Sequence, residues 1–153
     1  MTVLKTQRKA GFLISQIHQI SGRIFARKLK EMGINDINPA QGRIMFALWK
    51  NDEISLKELC ERTSLKKSTL SMMIDKMERE GKILKTQARE DKRELRLKLI
   101  DQNEKKLNEA YLQVSVEMNH LFFKEFTESE IDHFEEYLER ILFNLKGFEK
   151  SIK

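Results

Sequence analysis

Between Ser55 and Leu99 the sequence passes through four kinds of segment in a fixed order, and few architectures accept that order. Ser55-Leu56-Lys57-Glu58 is a capping box that opens a short helix, Leu56–Arg62, with Leu56, Leu59 and Cys60 on its inner face. Thr63-Ser64-Leu65 breaks that helix, and a second runs from about Lys66 to Glu80, with Gly81 after it. Leu70, Ile74 and Met77 fall at i, i+4 and i+7 of the second helix, which leaves Lys67, Ser68, Ser71 and Asp75 mostly on the opposite side. Ile83–Ala88 and Glu94–Leu99 then read as two strands around the charged tip Arg89-Glu90-Asp91-Lys92-Arg93. The second of them, Glu94-Leu95-Arg96-Leu97-Lys98-Leu99, alternates strictly, the period of a half-buried strand. Helix, break, helix, hairpin is the order of a winged helix-turn-helix, which sets one helix in a DNA major groove and a hairpin beside it.

The flanks are helical. From Lys9 to about Met32 the apolar residues Leu13, Ile17, Ile20 and Ile24, with Phe25 and Leu29, keep to one face, and Gly33 follows where a helix C-terminus favours a left-handed residue. Asn38-Pro39-Ala40-Gln41 supplies an N-cap, a proline at the first helical position and a glutamine three residues past the cap. The helix it opens reaches about Lys50 and offers Ile44, Met45, Ala47, Leu48 and Trp49 for burial. Asp101-Gln-Asn-Glu104 caps a long helix to about Phe126, with Leu107, Tyr111, Val114, Met118 and Leu121 on one seam. Thr127-Glu-Ser-Glu130 caps the last helix, where Ile131, Phe134, Leu138, Ile141, Leu145, Phe148 and Ile152 alternate in steps of three and four, a heptad seam. An apolar strip of that length needs a partner, so the terminal helices are expected to pack together within and between subunits.

The fold class is therefore mainly α with a small β-hairpin wing: a winged helix-turn-helix flanked by N- and C-terminal dimerisation helices. The expected organisation is an N-terminal dimerisation helix over 1–36, a DNA-binding lobe over 37–100 and C-terminal dimerisation helices over 101–153, intertwined as one domain. At 153 residues the chain is long enough to bury a real core. No apolar run approaches the ~18 residues of a membrane span, and the cluster Phe12-Leu13-Ile14 behind Lys5, Arg8 and Lys9 breaks at Ser15, unlike a signal peptide. The single cysteine, Cys60, allows no internal disulfide, and the expected location is the cytoplasm. The net charge of +5 conceals an asymmetry: residues 1–52 carry nine Lys/Arg against three Asp/Glu, 53–100 thirteen against nine, and 101–153 seven against twelve. A basic block followed by an acidic one implies a polyanionic partner for the first and another role for the second.

With these pieces in order, nearly the whole chain resembles a MarR-family transcriptional regulator. Asp91-Lys92-Arg93-Glu94-Leu95-Arg96-Leu97-Lys98-Leu99 resembles the family's wing pattern D-x-R-x-x-x-L-x-L-T, departing from it where Ile100 replaces threonine. Leu65-Lys66-Lys67-Ser68-Thr69-Leu70-Ser71 resembles the opening of the family's recognition helix, with Lys66 where the family often has Asp. The resemblance implies a homodimer on a pseudo-palindromic operator in double-stranded DNA, most often repressing and released by a small-molecule effector or an oxidant. It also implies a ligand pocket between the dimer helices and the DNA-binding lobe, for which His18, Met45, Trp49 and Met118 are candidate lining residues; each reads equally well as core.

The DNA-contacting residues expected on this reading are Lys66, Lys67, Ser68, Thr69 and Ser71 at the front of the recognition helix and Arg89, Asp91, Lys92 and Arg93 at the wing. Hydroxyls donate to phosphates or base edges, lysines reach phosphate or guanine acceptors, and a wing arginine suits a narrow A/T-rich minor groove. Asp91, two residues from Arg93, is placed to orient that guanidinium. Cys60, on an inner helix face, reads as a packed small apolar residue rather than a redox sensor. His18, His120 and His133 fall on three different helices without metal-ligand spacing, so no metal or cofactor is expected. No Gly-rich phosphate loop, nucleophile elbow or paired carboxylates point to an enzyme. Two other functions fit the same elements: a winged-helix protein-interaction adaptor, which tolerates acidic substitutions at Lys66, Lys67 and Arg93, and a non-specific architectural DNA binder, which shows no preference for an A/T-rich palindrome.

Overall fold

The structure, a computed structural model, describes residues 7–35, 39–49, 53–87, 90, 93–100 and 104–152. Its elements in chain order are α1 (Ala10–Glu31), α2 (Pro39–Trp49), β1 (Ile54–Ser55), α3 (Leu56–Thr63), α4 (Lys67–Arg79), β2 (Ile83–Gln87), β3 (Leu95–Leu99), α5 (Glu104–Phe122) and α6 (Glu128–Ser151). Two compact units divide the chain, Met1–Ser115 and Val116–Lys153, with α5 running through the division.

Local chemistry fixes the element ends. After α1, Gly33 takes φ +81 while its N–H reaches the carbonyl of Lys30 and the N–H of Ile34 that of Leu29, each at 3.0 Å. This is the Schellman pair of bonds, closed by burial of Leu29 and Ile34 together in the core. Gly81 (φ +75) repeats the arrangement after α4, with bonds from Gly81 to Glu78 and from Lys82 to Met77. At the start of α6 the capping box is complete: Glu130 N–H donates to Thr127 Oγ1 at 3.1 Å, and Thr127 N–H to Glu130 Oε1 at 3.0 Å. At α3 only half of the expected box forms. Glu58 N–H donates to Ser55 Oγ at 3.1 Å, but the Glu58 carboxylate turns to Arg62, 2.8 Å away, one helical turn on. An arginine at i+4 competes successfully for a carboxylate that would otherwise fold back on the cap. The expected caps at Asn38 and Asp101 lie outside the described residues.

The sheet is three-stranded and antiparallel in the order β1-β3-β2, one strand more than the hairpin read from the sequence. Ile54 pairs with Leu97 on one side of β3, and Lys85 pairs with Leu97 on the other. Leu97 is thus central, and it is wholly buried. The inward residues of α3, α4 and the sheet, Leu59, Leu70, Ile74, Met77, Ile83 and Leu97, make one core with Ile44 and Leu48 of α2. Lys82 fastens the end of α4 to α2: its Nζ donates to Gln41 Oε1 at 3.1 Å and to Glu80 Oε2 at 2.5 Å.

Tyr111 ties the first part of α5 to α2. Its hydroxyl donates to the Gly42 carbonyl at 2.5 Å, and its ring lies 5.3 Å from Phe25 and 6.4 Å from Trp49, edge-on to both. Gly42 makes that approach possible, because a Cβ there would stand 2.8 Å from the Tyr111 hydroxyl oxygen. Burial pushes the phenol from its ordinary 10.0 up to about 12, against a smaller opposing effect of Arg43. Folding therefore favours the protonated phenol. Its contribution, on the order of 2–3 kcal/mol, is complete below pH 10 and is lost as pH rises towards 12. In a Tyr137→Phe variant, which leaves Tyr111 as the single tyrosine, phenolate absorbance is expected to rise only near pH 12 and together with unfolding; a rise near pH 10 in the folded protein would refute the buried setting.

Not every apolar stripe is covered. On α1 only Leu29 is buried, while Phe12, Leu13, Ile14, Ile17 and Ile20 are exposed. On α6 no residue is buried, and Phe134, Leu138, Ile141, Leu145, Phe148 and Ile152 of the heptad seam all face outward. The second unit has an aromatic group of its own, with Phe123 ring-to-ring at 5.9 Å from Phe126 and 6.2 Å from Phe134. No helix among the described residues is long and apolar enough to cross a membrane.

Candidate nucleic-acid interface

The turn between α3 and α4 is built by its own side chains. Thr63 Oγ1 donates to the Leu59 carbonyl at 2.7 Å and accepts from Leu65 N–H at 3.4 Å, and Ser64 takes the left-handed conformation at φ +57. Lys66 stands at the N-cap of α4 in extended conformation without a side-chain cap bond, as expected of a lysine in a place that suits an acceptor. The unsatisfied N–H groups of the opening turn, a pole of partial positive charge, are thus left for an outside acceptor such as a phosphate oxygen.

Leu70, Ile74 and Met77 anchor the inner side of α4, as their spacing requires. Lys66, Lys67, Ser68 and Thr69 are exposed, whereas Ser71 is half-buried and belongs to the flank of the helix more than to its front. Met72 is exposed on the same helix, at 72%. The same count of i, i+4 and i+7 that sends Leu70, Ile74 and Met77 inward sends residue 72 outward, so the helical period in the sequence carries the signal for it.

Asp75, exposed on the same helix, is a carboxylate where phosphates would approach, and the fold neutralises it. Lys85 of β2 pairs with Asp75 and, at 3.5 Å, with Glu78. The hydrogen bond from Lys85, together with its charge, holds the Asp75 carboxyl below its ordinary value, and the lysine is held above its own. This cross-element pairing also fixes α4 against the strand that leads into the wing.

At the wing, Arg93 is exposed at the base of β3. Lys67 and Arg93 line one cleft of about 710 Å³ between α3, α4 and the wing, shared with Lys57, Cys60 and Glu94. Lys67 at the start of α4 and the wing arginine, read separately from the sequence, therefore line one cleft. Cys60 is half-buried at the wall of that cleft. Arg89, Asp91 and Lys92 lie outside the described residues.

The four candidates for a ligand pocket have different settings. Met45 is buried in the core, Trp49 is half-buried against Tyr111, and His18 is exposed on α1. Met118, half-buried, belongs to the second unit. Among the described residues no group of His, Cys, Asp and Glu could hold a metal ion.

A helix pair joined by a tight turn, its second helix bearing an exposed polar front, and a three-stranded wing with an arginine beside that front together define a winged-helix protein. Comparison with known proteins finds likenesses that agree with this fold. The model of the MarR family matches residues 37–95, the segment from α2 into β3. The chain is 29% identical over 88 residues to the HTH-type transcriptional repressor MdtR of Bacillus subtilis (strain 168), a match that spans 58% of this chain and 57% of that repressor's length. A mutant MarR from E. coli complexed with operator DNA shares the fold with a TM-score of 0.74 at 23% identity, over 86% of this chain and 92% of that one. BpsR of Bordetella bronchiseptica, solved in a study of the regulation of its DNA binding by 6-hydroxynicotinic acid, gives a TM-score of 0.75 at 16% identity, over 92% and 97%. Over residues 37–95 the chain is similar to the MarR family, and the solved structures it resembles share its winged-helix fold.

Proposed function

We propose that this protein is a homodimeric, sequence-specific DNA-binding transcriptional regulator: a cytoplasmic repressor that leaves a pseudo-palindromic operator when a small ligand binds. The observation that carries the reading is that Lys67, at the start of the exposed front of α4, and Arg93 of the wing line one cleft. The basic excess of residues 1–100 supports a polyanionic partner. The repressor role draws on the likeness to MdtR, and release by a small molecule draws on the likeness to BpsR.

In this reading Lys66, Lys67, Ser68 and Thr69 enter the major groove or hold its phosphates, Ser71 supports them from the flank, and Arg93, with Arg89, Asp91 and Lys92 of the tip, addresses the minor groove. The segments 1–36 and 101–153 flank the lobe 37–100 as dimerisation elements. The exposed heptad seam of α6 and the exposed apolar residues of α1 are covered by a second copy of the chain, which sets two recognition helices about one DNA turn apart.

Selection of bound duplexes from a random library, followed by titration of the winner at two salt concentrations, tests the proposal. A two-fold symmetric consensus with a steep salt slope is expected; enrichment without symmetry, or none, would overturn it in favour of an architectural or adaptor role. On the selected site Arg93→Ala is expected to weaken binding by about 1–3 kcal/mol, against no measurable change for Arg140→Ala on α6. Equal losses in the two variants would remove the wing from the interface.

A further inference from the structure

We propose that Met72 reads thymine through its C5-methyl group, which makes it a specificity-determining residue of the recognition helix; the inference rests on the reading of α4 as that helix. Among the described residues most other exposed large apolar side chains lie on α1, α5 and α6, with Phe46 on α2 and Leu84 and Leu95 on the wing strands. Met72 is the exposed large apolar residue of α4, beside the half-buried Met73. Ser68 and Thr69 precede it by about one helical turn, and Lys76 and Arg79 follow it on the outward side. An isolated exposed methionine is unremarkable on most helices. Here it occupies the line diametrically opposite Leu70, Ile74 and Met77, the line that lies deepest when α4 enters a groove.

The chemistry around it narrows what it can recognise. From Lys67 to Asp75 there is no arginine, asparagine or glutamine, so the opening two turns hold neither the fork that reads guanine nor the carboxamide that reads adenine. Asp75 is engaged by Lys85 and is unavailable to a cytosine amino group. The feature of a major-groove edge that rewards an apolar side chain is the thymine methyl, and a flexible thioether adapts to its position. Hydroxyls on one side and cations on the other then hold the helix to the backbone while Met72 supplies the contact with the base.

The test uses the full-length chain and the duplex selected from the random library. Each thymine of a half-site is replaced in turn by deoxyuracil, which removes the methyl and keeps the pairing, and affinity is measured for the wild type and for Met72→Ala. At one thymine the replacement is expected to weaken wild-type binding by about four-fold per methyl removed, and to leave Met72→Ala unaffected. Comparing the two proteins on both duplexes cancels any effect of uracil on the DNA itself. Selective binding with no thymine coupled to residue 72 would overturn this inference while leaving α4 as the recognition helix. Failure of the wild type to select any duplex would overturn both, and is distinguished at the first step.

Discussion

A glutamate in place of Leu138 is expected to leave the protein monomeric and to cost binding to a two-fold symmetric duplex about 100-fold or more. Leu138 sits in the middle of the α6 seam, 38% exposed, with Ile141 beside it at 40%. If a second copy covers the seam, the substitution places an unpaired carboxylate in an apolar interface, where the desolvation cost exceeds what a few remaining apolar contacts restore. If α6 stands alone in solution, the same substitution is nearly neutral, because glutamate is a good helix former and the position is open to water. The two cases thus separate widely. Sedimentation velocity measures the first effect, and titration of the selected duplex measures the second. The loss of DNA affinity follows from geometry: two linked recognition helices bind the second half-site at high effective concentration, and a monomer forfeits that advantage without any change in its own contacts. A Leu138→Glu variant that sediments as a dimer and binds DNA as the wild type does would put the dimer interface elsewhere. A variant that stays dimeric yet loses DNA would place Leu138 in communication with α4.

How far the sequence disclosed this architecture depended on the range of the interaction in question. Signals carried by neighbouring residues were legible: the glycines at 33 and 81 end helices in the left-handed conformation, Thr127 and Glu130 close a capping box, and the alternation before Leu99 is a strand. Periodicity also found the inner face of α4, because a helix buries whatever recurs at three and four residues. It does not separate positions buried within the chain from positions left exposed on the same stripe. Leu29 of α1 is in the core, while Ile17 and Ile20, on the same predicted face, are exposed. On α5, Tyr111 and Val114 are core residues, and Leu121 of the same seam is exposed.

Interactions between distant elements were not legible. Strand β1 has two residues, too few to show alternation, and exists because Ile54 and Ser55 find Leu97 and Arg96 of β3. The Lys85 pairing with Asp75 joins residues ten apart on different elements, and without it Asp75 reads as an obstacle to DNA. Ser71 is half-buried and Met72 exposed because angular position on α4, not residue type, decides which side chains face out. On a helix whose inner line is known, position is the better guide.

The contrast between two neighbours on α4 gives the second large effect. Leu70→Ala is expected to destabilise the protein by about 2–5 kcal/mol, through lost burial and the cavity left behind. Leu70 is wholly buried in the core formed by α3, α4 and the sheet, beneath the turn that presents Lys67, Ser68 and Thr69. Such a cost is a large part of the ~5–15 kcal/mol that holds a domain of ordinary stability. Met72→Ala, two residues on and facing water, is expected to change stability by no more than about 0.5 kcal/mol. Urea unfolding with an unchanged slope separates them, since the midpoint then reports stability alone. The DNA readout runs the other way. Below its unfolding transition Leu70→Ala keeps the base contacts of the folded α4, so it retains the wild-type consensus, whereas Met72→Ala keeps its stability and loses its preference at one thymine. If instead both variants lose stability to the same degree, Met72 is a packing residue and the outward line of α4 has been misplaced. If Leu70→Ala is neutral, the core beneath the recognition helix is not the one described, and the orientation of the helix toward DNA falls with it.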